Sequence, residues 1–180
     1  MRSLIFGSLL ALVVGASAQA QDYGLTAGFS QSNATASGSG VSTTGEFGFR
    51  AGGVAAFPLV DNLKFRTGLI FAQRHFDVTV AGNKATARFD YLDIPVLVQY
   101  NFNDMMGVFG GLVAAVNVNH NIDSGSITGS KGLYPLVQAG FNATFDNMYG
   151  IEIYYEYGLG EFADNLKNFS VFGANFIYWL

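Results

Sequence analysis

Eight charged residues stand inside runs of alternating apolar and polar residues: Glu46, Arg50, Lys64, Arg66, Arg74, Asp93, Glu152 and Glu156. Four are acids and four are bases, so a shared interior holding all of them could be neutral. Two kinds of chemistry suit such a set. One is a fixed network of ion pairs and hydrogen bonds, joined by Gln99, Asn117, Gln138, Asn142 and Asn175. The other is a narrow ion path in which Arg50, Arg66, Glu152 and Glu156 exchange partners. Nucleophilic catalysis has weaker support. Ser124 and Ser126 follow His120, and Asp123 or Asp77 could orient a base as a triad requires. Yet no serine stands two residues from His75 or His120, and a histidine in a polar loop is usually solvated. No catalytic residue is therefore expected. Without cysteine, and with two isolated histidines, no metal cluster can be drawn, and no cofactor is expected. Gly38-Ser39-Gly40 and Gly158-Leu159-Gly160 are not phosphate loops, because no helical pattern follows either.

The charges are informative because of the elements that must carry them. Period-two alternation between clusters of Gly, Asn, Asp and Ser predicts eight strands, over about 23–30, 46–57, 63–76, 88–102, 108–119, 133–145, 149–159 and 169–180. In the third, Leu63, Phe65, Thr67, Leu69 and Phe71 alternate with Lys64, Arg66 and Gly68. In the fourth, Leu92, Ile94, Val96, Val98 and Tyr100 oppose Asp93, Pro95 and Gln99, and the proline predicts a lapse in the ladder. In the seventh, Ile151, Ile153, Tyr155 and Tyr157 oppose Glu152 and Glu156. The fifth is apolar on both parities until Asn117; its even residues are assigned outward. Every one of the eight charges falls opposite the large apolar residues.

Connections 31–45, 77–87, 120–132 and 160–168 are long and polar, whereas 58–62, 103–106 and 146–148 are short turns. That alternation suits a transmembrane barrel with both termini on the short-turn side. A soluble ligand-binding barrel would place charges outside. Closing this sheet with charges inward turns Phe, Leu, Ile, Val and Tyr to the surroundings, which only lipid tolerates. An open edge in hydrocarbon would leave backbone groups unpaired, at several kcal/mol each, roughly. The expected fold is therefore all-β, a closed eight-stranded antiparallel up-and-down transmembrane β-barrel. Phe57, Phe65, Phe102, Tyr149 and Tyr178 are expected at the turn-side rim, and Phe47, Phe71 and Tyr157 at the loop-side rim. An interior of eight strands is just wide enough to be filled by side chains. A closed lumen follows.

Export is read from residues 1–20: Arg2, an apolar run from Leu4 to Val14, and Ala18-Gln19-Ala20 as a cleavage site. The run is too short to span a bilayer, which takes roughly 20 apolar residues. Residues 21–180 form one domain. Without Arg2 that domain has eight basic and thirteen acidic residues, and the negative balance argues against nucleic acid. The chain is 15% aromatic and only 12% charged, against about 25% charged in ordinary soluble domains.

The segment Tyr91-Leu92-Asp93-Ile94-Pro95-Val96-Leu97-Val98-Gln99-Tyr100-Asn101-Phe102 resembles the Tyr-Leu-Glu-Ile-Pro strand of the PorT-like outer-membrane β-barrel proteins. The ending, with Phe172, Phe176, Tyr178 and Leu180 alternating, is similar to the C-terminal signal by which outer-membrane barrels are recognised for assembly, though it closes on Leu instead of Phe or Trp. The resemblance implies a Gram-negative outer membrane as the location. Outer-membrane lipids and the assembly machinery are the expected partners, and a monomer is the expected state. The resemblance says little about role, because fold does not fix function. A structural or surface-interaction role, with loops 31–45 and 120–132 presented to an extracellular partner, is the reading carried forward; a narrow channel or a lipid-modifying enzyme is the alternative.

Overall fold

The computed structural model describes residues 22–36, 41–80, 83–122, 132–160 and 166–180. The leader assigned to residues 1–20 lies outside them. Nine strand segments follow in chain order: β1 (Asp22–Ala36), β2 (Val41–Gly45), β3 (Phe47–Val60), β4 (Leu63–Val80), β5 (Asn83–Asn101), β6 (Met106–Ile122), β7 (Leu133–Phe145), β8 (Tyr149–Gly158) and β9 (Leu166–Trp179). All pairings are antiparallel, each stave bonding to its neighbour in sequence, and β1 pairs with β9 to close the ring. β2 and β3 both pair with β4 and form one stave interrupted at Glu46. The barrel is closed and eight-stranded, with no free edge among its staves.

Parity organises each stave. On β8, Tyr149, Ile151, Ile153, Tyr155 and Tyr157 are exposed while Gly150, Glu152, Tyr154, Glu156 and Gly158 are buried. The fifth stave, β6, turns its even residues outward: Phe109, Val113 and Ala115 are buried in the lumen and Leu112 faces out. Outward apolar residues run along 23–29, 47–57, 63–71, 92–102, 106–118, 133–145, 149–159 and 172–180. These are the lipid-facing segments. Phe29 and Phe47 are each 71% exposed, an area of bare aromatic surface that water would not tolerate. Beyond this band the outward residues become Asn33, Gln73, His75, Arg88 and Ser170. Rim aromatics meet across strands in Phe57–Phe65 and Tyr149–Tyr178 at the turn end and in Phe49–Phe71 toward the loops, while Tyr100–Phe102 meet along one stave.

Three short connections join the staves at one end. In the last of these, Asp146 and Asn147 hold positive φ values of 51° and 54°, and the Met148 N–H donates to the Phe145 carbonyl at 3.1 Å. This is the mirror-image turn that matches the strand twist, and Asp and Asn tolerate its left-handed backbone. At Pro95 the ladder to β4 lapses between Thr67↔Val96 and Ile70↔Asp93, but the register is the same on either side.

The strands outrun their expected ends on the loop side. Much of 31–45 and 77–87, anticipated as loop, is paired strand: β1 continues to Ala36, β2 pairs with 76–80, and β4 and β5 pair as far as Val80↔Asn83. Val78, Thr79, Val80 and Thr86 are β-branched, and an antiparallel partner satisfies their backbone whether or not lipid surrounds them.

Candidate functional site

Inward side chains fill the barrel in tiers. In the middle, four residues from four staves meet. Arg74 of β4 donates through Nη1 and Nη2 to Asp93 of β5, at 2.8 and 2.7 Å, and Nη2 also reaches Glu156 Oε2 of β8 at 2.8 Å. Arg50 of β3 donates to Glu156 Oε1 at 2.9 Å and lies 3.6 Å from Asp93 Oδ2. All four are at most 2% exposed. Two guanidinium groups against two carboxylates leave the tier neutral, and a forked, charge-assisted geometry is the strongest form such bonds take.

One step toward the turns, Arg66 of β4 pairs with Glu152 of β8 at 2.5 Å and donates to Gln99 Oε1 at 3.1 Å. Asn175 Nδ2 donates to the other Glu152 oxygen at 3.4 Å, and Gln99 Nε2 donates to Asn101 Oδ1 at 2.6 Å. This tier is also neutral. Between the tiers lies a void of about 10 Å³ bordered by Thr26, Arg50, Arg66, Gln138, Glu152 and Asn175, about the room of one water.

Each arginine of the two tiers lies over an aromatic ring. Arg50 is 4.6 Å from the Tyr154 centroid, Arg74 5.0 Å from Tyr91, and Arg66 5.0 Å from Phe109 and 6.0 Å from Trp179. Within about 6 Å the ring face attracts the cation. Glycine on the neighbouring strand makes room for three inward rings. A Cβ at Gly173 would overlap Tyr154, one at Gly140 would overlap Phe109, and one at Gly158 would overlap Tyr134. Tyr154↔Gly173 and Phe109↔Gly140 are directly opposed pairs. The glycines let the rings lie on the wall, and two of those rings carry guanidinium groups.

Toward the loops the lumen becomes apolar. Phe76 stacks on Phe89 at 5.6 Å, Phe89 neighbours Tyr91 at 6.5 Å, and Tyr134 meets Phe169 edge-on at 6.2 Å. Leu136 and Val171 complete a buried cluster with them. Toward the turns a cup of about 270 Å³ opens, lined by Gln99, Asn101, Asp104, Asn142, Asn147 and Trp179 among others.

Six of the eight sequence-selected charges thus lie in the two tiers: Arg50, Arg66, Arg74, Asp93, Glu152 and Glu156. The other two lie apart. Lys64 pairs with Asp22 at 2.7 Å at the turn-side rim, both partly exposed. Glu46 interrupts the β2–β3 stave, with its N–H donating to the His75 carbonyl, and its side chain neighbours Asp77 near the loops. Asp77, not selected for this role, pairs with Lys84 at 2.6 Å and accepts from Thr86 Oγ1 at 2.6 Å. These bonds, Lys84 first, hold the Asp77 carboxyl below the usual range, and Asp77 in turn raises Lys84. Burial holds His75 below the ordinary histidine value. Asp77 is thus engaged by Lys84 and Thr86, and the charged groups acting on His75 are Asp90, Arg88 and Glu46. Ser124, Ser126 and Asp123 lie outside the described residues. Phe172, Phe176, Tyr178 and Leu180 fall on the lipid-facing side of the last stave.

The aromatic platforms and the plug escaped sequence reasoning, although parity held the signal. Tyr154 stands between Glu152 and Glu156 on one face, and Phe89 and Tyr91 share the face of Asp93. An apolar residue on a charged face reads as an exception until the lumen is seen to need filling.

A closed antiparallel barrel with a lipid-facing apolar band and a charged, filled interior is an integral membrane barrel of the outer-membrane class. Residues 17–170 match the family described as outer membrane protein beta-barrel domain, and the chain belongs to it. Its location is the outer membrane. The fold is similar to that of OprG from Pseudomonas aeruginosa, with a TM-score of 0.56 and 15% identity over 90% of this chain and 97% of that one. Ail, the attachment invasion locus protein of Yersinia pestis, gives 0.52 and 13% over 90% of this chain and 100% of that one. The outer membrane protein AlkL gives 0.53 and 14% over 92% and 93%. No curated protein matches. Because short turns face the periplasm in such barrels, the cup opens there and the aromatic plug faces outward.

Proposed function

We propose that this barrel works by its shell rather than by its lumen: a non-conducting, non-enzymatic outer-membrane protein that contributes to envelope structure and presents its outer hairpins to surfaces or partners. The observation that carries this is the stacking of two neutral ion tiers beneath an aromatic plug, with three arginines and three carboxylates committed to one another. A conducting path would have to separate buried partners, at several kcal/mol per ion, roughly. Outer-membrane lipids are the first partner. The assembly machinery is the second, engaged through Phe172, Phe176, Tyr178 and Leu180 after export directed by residues 1–20, and the barrel then works as a monomer. The strand from Tyr91 to Phe102 supports a place among the PorT-like members of the family. Segments 31–45 and 120–132 are the candidates for contact with an extracellular partner.

Planar-bilayer recording tests the closed lumen. The purified barrel is expected to give no steady current, and a large, stable single-channel conductance overturns the reading. Deleting 123–131 is expected to leave a heat-modifiable, folded barrel with reduced adhesion of cells that express it.

A further inference from the structure

We propose that the turn-side cup is a binding site for a neutral saccharide: a single sugar ring, or the end of a glycan chain, taken from the periplasm. Such a site requires only that the turn end face the periplasm, and it is independent of the surface role. At about 270 Å³, the cup lies just below the range of about 300–1,000 Å³ for drug-sized ligands, which limits the occupant to one ring at a time.

The lining selects the chemistry. Gln99, Asn101, Asn142 and Asn147 bring four amides to one small space. Gln99 is held by Arg66 and Asn101, and each of the other three amides carries donors and an acceptor together, as a sugar hydroxyl also does. The cationic group of the cup, Lys64, is paired with Asp22, so the lining offers no unneutralised cation to a phosphate or carboxylate. Trp179 supplies an aromatic wall of the kind that accepts the apolar face of a pyranose ring.

The floor of the cup is shaped by a glycine. Asn101↔Gly107↔Asn142 form one row across three strands. A Cβ on Gly107 would come within 2.7 Å of Asn101 Oδ1 and 2.9 Å of Asn142 Oδ1. Both amide oxygens therefore lean into a notch that exists because the residue between them is glycine. Asn142 is 9% exposed, and its Oδ1 has no partner within the protein. A buried acceptor left unpaired is costly to the free barrel, and a ligand donor would recover that cost. Its terminal torsion is broad enough to present the oxygen to that donor. Above the floor, Arg66 and Glu152 close the lumen, so a bound sugar is held and not passed on.

Trp179 is the sole tryptophan of the chain, so emission excited at the red edge, where the nine tyrosines do not absorb, reports the cup. The barrel, folded in a sugar-free detergent, is titrated with N-acetylglucosamine and with its trimer, chitotriose. A saturable change in emission at millimolar sugar is expected, weakened about tenfold, or about 1.4 kcal/mol, in Gly107→Ala and Asn142→Ala. Amide shifts of the unaltered barrel, which need no variant, are expected to concentrate at 99–107 and 142–147. Cosedimentation with purified peptidoglycan sacculi, competed by the trimer, assigns the natural ligand as cell-wall glycan; binding of the free sugars without cosedimentation assigns a soluble saccharide. Absence of a saturable change, a change that both folded variants retain, or shifts confined to the outer hairpins each overturn the site.

Discussion

The ion pairs at the middle of this barrel and those at its two ends each set a cation against a carboxylate and answer to different physics. Arg50, Arg74, Asp93 and Glu156 are at most 2% exposed and hold one another through five close contacts from four staves. Lys64–Asp22 at the turn end has a comparable 2.7 Å separation, with side chains 32% and 44% exposed. Distance alone would rank them together. Burial separates them: in the tiers no water replaces a lost partner, whereas at the rims water is already present. The interior pairs therefore fix which staves meet and in what register. The rim pairs decorate an arrangement that is already set.

The sharpest break of that comparison is Glu156→Gln. It leaves Arg50 and Arg74 facing Asp93 alone, an excess of one buried positive charge, and a cost of about 3–5 kcal/mol is expected. Lys64→Ala, at the rim, is expected to cost at most about 1 kcal/mol. Urea unfolding in lipid vesicles, followed by heat-modifiability on a gel, reads both. Equal midpoints for the two variants would show that burial does not control the energetics here. Gly173→Ala comes next in size. The new methyl group would meet the Tyr154 ring that lies under Arg50, so the ring must move and take the guanidinium with it. Overpacking of this kind costs about 1–3 kcal/mol. Combined with Glu156→Gln, the effect should be less than additive, since the two changes disturb the same arginine.

The sequence shows parity well and partners badly. Glu152, Glu156, Arg66 and Asp93 announce their face because a charge opposite Ile, Phe or Leu has few alternative readings within a strand. Lys64 and Arg66 have the same parity and sit two residues apart, yet Lys64 turns to Asp22 at the rim and Arg66 to Glu152 in the lumen. Height in the barrel decides this, and height follows from register across several staves, which no local pattern encodes. The strand ends were hidden for a related reason. Ser, Thr and Asn around 31–45 read as loop, but pairing with 76–80 and 166–173 gives their backbones partners. The aromatic plug was hidden because Phe76, Phe89 and Phe169 are apolar residues on a face recognised by its charges.

The smallest expected effect sharpens the comparison at the loop end, where titration can act without unfolding the barrel. Asp77 has a carboxyl pKa lowered by Lys84 and Thr86, so the folded hairpin binds its proton less readily than the unfolded chain. Its contribution to stability is present above the unfolded carboxylate value of about 4, and is lost as pH falls through the lower, folded value. His75, lowered by burial, behaves with the same sign in a higher window: its contribution is present above about pH 6.5 and declines as pH falls through the folded value. Protection factors for amides 75–86 should therefore fall in two steps on acidification, while those around Asp93 and Glu156 stay level. Lys84→Met should shrink the lower step, leaving the part due to Thr86, and spare the upper one, because Lys84 faces Asp77 whereas His75 lies opposite Arg88. A simultaneous loss of protection at both heights would mean that the rim and the interior tiers open as one unit, and the separation drawn between them would fail.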